Sequence, residues 1–226
     1  VLSKEERNKH VKLDCQVCNQ RGEPVLHGVA EVLAPIEKVR LQSIRAPQIQ
    51  LFDPEARFKA LLALGEGISP ARCAVVHPCD DGSLSGAMDA ARYGLIVPVL
   101  IGPRSRIEKI AQQAGIDLAG AEFHDVPHSH AAADLGADMA ARGDVEMIMK
   151  GSLHTDELIH AVLAKPALRT GRRMSHVFRF DVPMYDKPLL ITDAALNIEP
   201  KLVDKVSIIQ NAIDFCKVLG VQTPKV

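Results

Sequence analysis

The sequence has no tryptophan, only two tyrosines and an almost even charge balance, with a net charge of −1 over 226 residues. Proteins that bind nucleic acid carry a basic face and often stacking aromatic side chains, so we predict no nucleic-acid partner. No apolar run approaches the roughly 20 residues that cross a bilayer, which predicts no membrane partner. The polar residues 1–7 do not resemble a signal peptide, and we expect a cytoplasmic location.

Cysteine is also sparse, and of the five cysteines only Cys15 and Cys18 form a C-x-x-C pair. A structural zinc site needs a second ligand pair at a suitable spacing, and a redox C-x-x-C motif begins a helix. Here the pair lies in an extended segment, where residues three apart point to opposite faces of a strand. We therefore favour ordinary strand residues over a metal or redox site.

Residues 1–46 form a region of their own. Residues 10–18 and 24–34 are typical of two strands joined by the polar turn at 19–23. Apolar residues occur on both faces of the second strand, which predicts a hairpin covered on much of both faces. Because an isolated hairpin is marginal in water, this one needs a sheet that the chain does not supply, or it packs on the following domain.

From residue 47 onward, short apolar runs alternate with helical stretches. This alternation predicts right-handed βαβ units and an α/β fold with a mostly parallel sheet and flanking helices. Ligands of such sheets bind at the carboxyl ends of the strands. The predicted strands are 72–77, 96–101, 122–126 and 145–150, and the predicted helices are 54–64, 84–93 (capped by Ser83), 105–114, 129–141 and 156–163.

The order changes beyond Pro166. Residues 172–180 and 189–192 are typical of strands, and residues 201–219 of a long helix. Lys225-Val226 begins another apolar run. We therefore expect the chain to be part of a longer protein.

The segment that follows the predicted strand 145–150 is the most informative stretch. Gly151 and Ser152 turn the chain there, and Thr155 precedes a helix. Such a turn presents backbone N–H groups and hydroxyls at the positive end of a helix, which suits an anion such as phosphate. A plain strand-to-helix turn is the alternative interpretation.

Arg169, Arg172 and Arg173 cluster soon after the Lys-Pro break at 165–166. Guanidinium groups suit phosphate because each can bind two oxygens at once. A solvated basic turn is the alternative. We favour Arg172 in particular, because it opens a predicted strand next to Ser175.

Asp193 and Asn197 follow the predicted strand at 189–192. A carboxylate at the carboxyl end of a strand is well placed to act as a ligand or a general base, and Asn197 to orient a substrate. Helix capping, which Asp and Asn perform routinely, is the alternative for both residues.

Other candidate residues carry weaker signals. His124, His128 and His130 suggest a metal, but their loop has no fixed geometry, so we favour structural roles and predict no metal site. His77 ends the first predicted strand of the βαβ region and is a weaker candidate for a cleft residue. The sequence has no G-x-G-x-x-G motif and no Walker lysine, which argues against a dinucleotide-binding fold or an NTPase.

Several dispersed motifs, taken in order, resemble the phosphate acetyltransferase/butyryltransferase family from about residue 70 to residue 226. The Lys150-Gly151 form and residues 174–177 are more similar to the butyryltransferase-type branch, and His160 stands where acetyl-specific members have an arginine, so acyl preference stays open. The matching motifs are His77-Pro78, Ser83-Leu84-x-Gly86-Ala87-x-x-Ala90-Ala91, Gly94-Leu95-Ile96-x-Pro98-Val99-Leu100-Ile101-Gly102, Lys150-Gly151-x-x-His154-Thr155 and Asp193-Ala194-Ala195-x-Asn197-Ile198.

The resemblance implies a two-domain fold like that of isocitrate and isopropylmalate dehydrogenases, present here incompletely. Part of domain I would occupy residues 47–150 and part of domain II residues 151–226, with a cleft between them and a homodimer as the usual assembly. The implied reaction converts acyl-CoA and phosphate into acyl phosphate and CoA, with an acetyl or butyryl group. CoA and phosphate are then substrates, and no cofactor is expected.

The family also implies a late Ser-Arg pair followed by an Asp, and these have no match here. The catalytic segment is therefore expected beyond Val226, with Asp193 as a candidate inside the chain. The alternative is a non-catalytic CoA- or phosphate-binding module or an assembly fragment. The residues expected to bind substrate are Lys150, Gly151, Ser152, His154, Thr155, Arg172, Ser175 and Asn197.

Residues 1–46 resemble the closing hairpin of a hot-dog-fold, R-specific enoyl-CoA hydratase. The similarity rests on Leu13-Asp14-Cys15 and on the spacing of Gly22, Gly28 and Ala30. Proteins that join such a hydratase to a phosphotransacylase are known as bifunctional enzymes. The catalytic helix of the hydratase would lie upstream, so we expect no hydratase activity from this chain.

Overall fold

The computed structural model describes residues 1–5, 7–35, 55–182, 185 and 187–226. The chain divides into two compact units, residues 1–51 and 52–226. The domain boundary predicted at residues 46 and 47 lies outside the described residues. The boundary predicted between residues 150 and 151 falls within the second unit and stays a prediction.

The first unit is a three-stranded antiparallel sheet in the order β1-β2-β3. Its strands are β1 (Ser3–Glu5), β2 (His10–Cys18) and β3 (Pro24–Leu33). The predicted hairpin of β2 and β3 is confirmed, whereas β1 was not predicted. The turn is fixed by Asn19, whose Oδ1 accepts hydrogen bonds from the backbone N–H groups of Arg21 and Glu23.

The two faces of this sheet differ in chemistry. In the β2-β3 hairpin, one face carries only small or apolar residues, because the register pairs Val11 with Val32, Leu13 with Ala30, Cys15 with Gly28 and Val17 with Leu26. Lys4 of β1 lies on the same face, opposite Val11. The other face carries exposed ion pairs, with His10 Nδ1 2.9 Å from Glu31 Oε1 and His27 Nε2 2.7 Å from Asp14 Oδ1. The prediction that both faces are covered is therefore wrong, since charged pairs of this kind favour contact with water.

The second unit is an α/β unit built on a parallel sheet in the order β6-β5-β4-β7. The predicted alternation of strands and helices is confirmed. In chain order the elements are α1 (Ala56–Ala63), β4 (Ala71–Val76), α2 (Asp81–Arg92), β5 (Ile96–Gly102), α3 (Arg104–Ala114), β6 (Glu122–Asp125), α4 (Ser129–Arg142), β7 (Met147–Lys150), α5 (Thr155–Leu163), a 3-10 turn (Pro166–Leu168), β8 (Phe178–Phe180), β9 (Leu189–Ile191) and α6 (Leu202–Val218).

Helices cover both faces of this sheet, and alternate residues of the central strands point to opposite layers. Ala74, Val76 and Ile101 pack in one cluster with residues of α4 and α5. Val75 and Leu100 pack in the other cluster with residues of α2 and α3. Strands buried on both faces are typical of parallel sheets, which explains why the segments of β4 and β5 are continuous apolar runs in the sequence.

Two local predictions are wrong in detail. The cap of α2 is Asp80, whose carboxylate accepts from the backbone N–H of Ser83 at 2.7 Å, rather than Ser83 itself. Only Phe178–Phe180 of the predicted strand 172–180 is a strand, so Arg172 does not open one. None of the described helices is both long enough and apolar enough to cross a membrane.

Candidate functional site

The strand order reverses direction between β4 and β7, and such switch points are where open α/β sheets usually bind ligands. Here the two strand ends are bonded to each other. The backbone N–H of Gly151 donates to the carbonyl of Val76, and that of Ser152 donates to the carbonyl of His77, each at 2.8 Å. We refer to Val76, His77, Gly151 and Ser152 as the strand-end joint.

Glycine is required in this joint by close approach. A Cβ at position 151 would lie 2.5 Å from the carbonyl oxygens of both Val76 and His77, a distance that Cβ contacts essentially never show. The glycine thus lets β7 end directly against β4.

The joint changes the physical argument for an anion site at the Gly151 turn. Its two backbone N–H groups already donate within the protein, so the prediction that they are available to phosphate is wrong. The first turn of α5 also carries Asp156 and Glu157, whose charges already complement the positive helix end and repel an anion. The hydroxyl of Ser152 donates to the carboxylate of Asp80, and the predicted substrate contacts of Ser152 and Thr155 stay predictions.

Lys150 and His154 flank the joint without a defined ligand geometry. Lys150 Nζ donates to the carbonyl of Leu153 at 2.7 Å and to that of Gly151 at 3.2 Å, so the ammonium group holds the turn. His154 is the N-cap residue of α5, but its side chain makes no capping hydrogen bond. The alternative interpretation, a plain strand-to-helix turn, therefore describes much of this segment.

His77 completes the joint and is 7% exposed. Its Nδ1 lies 2.8 Å from the carbonyl oxygen of Ser152. Because a carbonyl only accepts hydrogen bonds, Nδ1 is the donor of this bond. The backbone of His77 is left-handed, with φ of 53°. This histidine thus ties β4 to β7 through both its backbone and its ring.

Asp80 interacts with several polar groups at this end of the sheet. The backbone N–H of Ser83 is the main cause that lowers the pKa of Asp80, and it outweighs the opposing effect of partial burial. Hydrogen bonds from the side chains of Ser83 and Ser152 and the charge of Lys150 act in the same direction. The ionised carboxylate of Asp80 is therefore favoured, and it caps α2 and accepts a hydrogen bond from Ser152.

A second group of predicted residues lines a cavity of about 680 Å³ next to α5 and α6. Arg172, Ser175 and Asn197 are brought together here, whereas none of the lining residues comes from 150–155. We call this space the arginine cavity. Its lining residues are Ile159, Leu163, Leu168, Arg169, Thr170, Arg172, Arg173, Met174, Ser175, Val177, Leu196, Asn197 and Asn211.

Arg172 and Arg173 each bond to neighbouring side chains through part of the guanidinium group. Arg172 Nη1 pairs with Asp214, and this contact is the main cause that lowers the pKa of that carboxyl. Arg173 Nε donates to Asn197 Oδ1 at 2.7 Å, with Asp204 Oδ1 further away at 3.8 Å. These bonds leave other nitrogens of both forks to meet a ligand.

Arg169 uses more of its guanidinium nitrogens in bonds within the protein than the other two arginines do. Its Nε and Nη2 both donate to the carbonyl of Leu163, at 2.8 and 2.6 Å, so this side chain closes the end of α5. Arg172 faces the carboxylate of Asp214 and Arg173 that of Asp204, so the three arginines and these two aspartates together carry a net positive charge. This part of the cavity therefore suits a phosphate or another small anion.

Ser175 is oriented by Asn211 of α6, a residue that the sequence did not reveal as part of the site. Asn211 Nδ2 lies 2.9 Å from Ser175 Oγ and 2.9 Å from the carbonyl of Arg173. Because Ser175 Oγ accepts from the amide, its own hydrogen is directed elsewhere and can reach a bound oxygen. Only the helical position of Asn211, three residues before Asp214, could have signalled this role.

Asp193 and Asn197 form a closed loop rather than an open catalytic pair. The carboxylate of Asp193 accepts from the backbone N–H groups of His176, Ala195, Leu196 and Asn197. It also accepts from the side-chain amide of Asn197. These five bonds saturate its lone pairs.

The surroundings of Asp193 also make it a weak base. Partial burial by itself would raise its pKa, but the hydrogen bonds from Asn197 and the loop backbone outweigh it, so the pKa is lowered. The general-base role considered for Asp193 therefore finds no support in this geometry. Asn197 still faces the cavity, although its amide is bound to the carbonyl of Met174 and to Asp193.

The histidines considered as metal ligands have other contacts. His124 Nε2 lies 3.0 Å from Glu122 Oε1, and His128 caps α4 by accepting from the N–H of Ala131. Within the described ranges, no three His, Cys, Asp or Glu side chains are grouped to hold a metal ion.

Comparisons with known proteins agree with this architecture. Residues 129–226 match the family described as "Phosphate acetyl/butaryl transferase". The chain is 48% identical over 172 residues to a phosphate acetyltransferase of Rhizobium meliloti, a match that covers 76% of this chain and 54% of that protein. It is 33% identical over 156 residues to a phosphate butyryltransferase of Clostridium acetobutylicum, covering 69% of this chain and 52% of that protein.

Solved structures are similar in fold. A phosphotransacetylase from Streptococcus pyogenes gives a TM-score of 0.62 at 14% identity and covers 75% of this chain and 60% of that chain. A branched-chain phosphotransacylase from Enterococcus faecalis gives 0.51 at 18% identity, covering 65% and 51%. The chain thus spans about half the length of the curated relatives it matches.

Proposed function

Since the chain belongs to the phosphate acetyltransferase/butyryltransferase family, we propose that it serves the transfer of an acyl group between CoA and inorganic phosphate. The reaction converts acyl-CoA and phosphate into acyl phosphate and CoA, with acetyl or butyryl as the acyl group. The substrates are then acyl-CoA or CoA and phosphate or acyl phosphate, and no cofactor takes part.

The arginine cavity is the observation that carries this proposal. It places two partly committed guanidinium groups, Arg172 and Arg173, beside the hydroxyl of Ser175 in one space. A phosphoryl group presents three oxygens that such donors can bind together, and charge-assisted bonds of this kind are stronger than neutral ones. Asn197 and Asn211 hold the donors in place before a ligand arrives.

The chemistry of the reaction explains why fixed donors matter. A phosphate oxygen attacks the carbonyl carbon of the thioester, the C–S bond breaks, and the sulfur leaves as a thiolate. Negative charge builds on the carbonyl oxygen during this step, and preorganised donors stabilise that charge. Holding both substrates in one cleft supplies much of the remaining rate enhancement.

The alternative function is a non-catalytic module that binds CoA or phosphate, or an assembly fragment. The saturated carboxylate of Asp193 favours this alternative, because it removes the general base that the sequence suggested within the chain. The two functions share the binding site and differ only in turnover.

We also propose the finer features that the family resemblance implies. The second unit would be part of a two-domain, dehydrogenase-like fold that assembles as a homodimer, with substrate also contacting Lys150, Gly151, Ser152, His154 and Thr155. The first unit would derive from a hot-dog hydratase domain, which its single apolar face supports. A cytoplasmic location is supported by the five cysteines, all of which are free thiols.

The binding part of the proposal is tested by titrating the 226-residue chain with inorganic phosphate, acetyl phosphate and CoA while recording amide NMR spectra. We expect phosphate to shift the amides of Arg173, Ser175 and Asn211. The Arg173→Gln variant should bind phosphate roughly ten- to a hundredfold more weakly, the range for losing a hydrogen bond to a charged group. Arg92→Gln is the matched control, because Arg92 lies on α2, pairs with Asp89 and is not among the residues that line the arginine cavity. Undisturbed cavity amides at millimolar phosphate would exclude this site.

Turnover separates the two functions. Acetyl-CoA or butyryl-CoA is mixed with phosphate and the chain, and released thiol is followed with a chromogenic disulfide. Thiol release that depends on phosphate and is lost in Arg173→Gln supports acyl transfer. Phosphate binding without thiol release supports the binding module.

A further inference from the structure

Six aliphatic side chains also line the arginine cavity, and the binding of a phosphate does not explain them. We call these six residues the aliphatic wall. They come from α5, from the 3-10 turn and from two loops, so four separate segments converge on this wall. The six residues are Ile159, Leu163, Leu168, Met174, Val177 and Leu196.

Polar and apolar lining residues are neighbours along the chain. Met174 stands between Arg173 and Ser175, and Leu196 precedes Asn197, so both loops bring a hydrogen-bonding group and an aliphatic group to the same cavity. The two loops are bonded to each other, because Asn197 Nδ2 donates to the carbonyl of Met174 at 2.9 Å. A ligand with an anionic head and a short hydrocarbon tail matches this pairing.

The size of the cavity exceeds the need of an acetyl group. An acetyl tail is a single methyl group, which can contact only a small part of a wall made by six aliphatic residues in a space of about 680 Å³. Each further methylene buried against such a wall strengthens binding about fourfold, which corresponds to about 0.8 kcal/mol. Longer acyl groups therefore gain affinity here that acetyl cannot.

We propose that the arginine cavity selects acyl groups of four or more carbons over acetyl, with Met174 as a specificity-determining residue. This inference rests on the proposed function, because it assigns the tail of the same acyl phosphate whose head the arginines bind. Met174 suits the role because its unbranched thioether adapts to tails of different shape. Its side chain is 40% exposed, so it lines the cavity without being part of the packed core.

The experiment compares alkanoylphosphonates of two, four and six carbons, which are stable analogues of acyl phosphates, by calorimetric titration of the 226-residue chain. We expect the four-carbon compound to bind about fifteenfold more tightly than the two-carbon compound, the result of two buried methylenes. The Met174→Gln variant should reduce that ratio to about fourfold. Met147→Gln is the matched control, since Met147 lies on β7 with 47% exposure and does not line the cavity.

Each outcome separates this inference from the proposed function. If two- and four-carbon compounds bind equally well, the selectivity is wrong while the anion site stands. If none of the compounds binds, the proposed function fails with it. If the ratio in Met174→Gln equals that of the unmodified chain, Met174 does not determine specificity. Tighter binding of phosphopantetheine than of any phosphonate would assign the aliphatic wall to the CoA arm and overturn the proposal.

Discussion

The antiparallel sheet β1-β2-β3 and the parallel sheet β6-β5-β4-β7 both contain apolar residues, but they differ in what covers them. In the antiparallel sheet β1-β2-β3, no described residue is buried, and one face of its β2-β3 hairpin consists of small or apolar residues that are at least partly exposed. In the parallel sheet, β4 and β5 contain residues that are fully buried, because helices cover both faces. The comparison teaches that an apolar strand becomes core only where the same compact unit supplies the layer that covers it.

The largest expected effect comes from one leucine in each sheet. Leu100 on β5 is 0% exposed, and Leu26 on β3 is 62% exposed. Leu100→Ala should lower the free energy of unfolding by about 3 kcal/mol, because it leaves a cavity in the core. Leu26→Ala should change it by less than about 0.5 kcal/mol.

Urea unfolding followed at 222 nm measures this pair of variants, since every described helix lies in the second unit. A loss in Leu26→Ala as large as that in Leu100→Ala would show that the apolar face of the antiparallel sheet is covered in solution. The contrast between the two sheets would then be wrong.

Glycines offer the next comparison. Gly151→Ala should destabilise the second unit by about 2 kcal/mol, because the added Cβ meets two carbonyl oxygens in the strand-end joint. Gly28→Ala on β3 is the control, since a Cβ there meets no atom within 4 Å. Thermal unfolding of both variants at 222 nm tests this prediction. Equal midpoints would mean that β4 and β7 are not joined as described.

Alkaline pH should lower the stability of the second unit, because the parallel sheet contains the buried thiol of Cys73. Burial raises the pKa of Cys73 from 9.0 to about 11, against a smaller opposing effect of the Met149 backbone. The folded state therefore holds the thiol proton more tightly than the unfolded chain, so stability is complete below pH 9 and falls as pH rises toward 11.

For Cys73 the expected loss between pH 8 and pH 10 is about 1.4 kcal/mol, one pKa unit of differential protonation. Urea midpoints at the two pH values measure it. Cys73→Ala should remove this part of the pH dependence, whereas Cys15→Ala should keep it. An unchanged pH profile in Cys73→Ala would show that the thiol is accessible to solvent.

The smallest expected effect compares two aspartates. Asp80→Ala removes the cap of α2 and should cost about 1 kcal/mol. Asp14→Ala removes an exposed pair with His27 on the antiparallel sheet and should cost less than about 0.5 kcal/mol. Amide hydrogen exchange in α2 and in β3 reports the two changes separately. If Asp14→Ala increased the exchange rate in β3 more than Asp80→Ala increased it in α2, the ranking would be reversed.

Much of the fold could be predicted because its signals are local. The apolar runs of β4 and β5, the helix between them and the glycine that ends α4 at Gly143 are properties of neighbouring residues. The segment 172–177 was predicted as the beginning of a strand but does not form one. Its actual course follows bonds from Asn197 and Asn211, which lie 23 and 38 positions further along the chain.

The site shows the same limit. Arg172, Ser175 and Asn197 were predicted from residue type and do meet in one cavity. The Gly151 turn has the sequence of an anion loop, yet its N–H groups are taken by the end of a strand that lies about 75 positions earlier. No local pattern reveals that partner. For Asp193, by contrast, the capping alternative already indicated bonds to nearby backbone N–H groups, which residues 195–197 supply.

The bracing of residues 172–175 by α6 has a consequence for how this protein can change. Asn211 and Asp214, one turn of helix apart, hold Ser175 and Arg172 from behind. Ligand affinity can therefore be adjusted from α6, either at Asn211 in the cavity lining or at Asp214, which pairs with Arg172 without lining the cavity. A library of random variants sorted for altered phosphate affinity should be enriched at positions 211 and 214 as well as among the arginines.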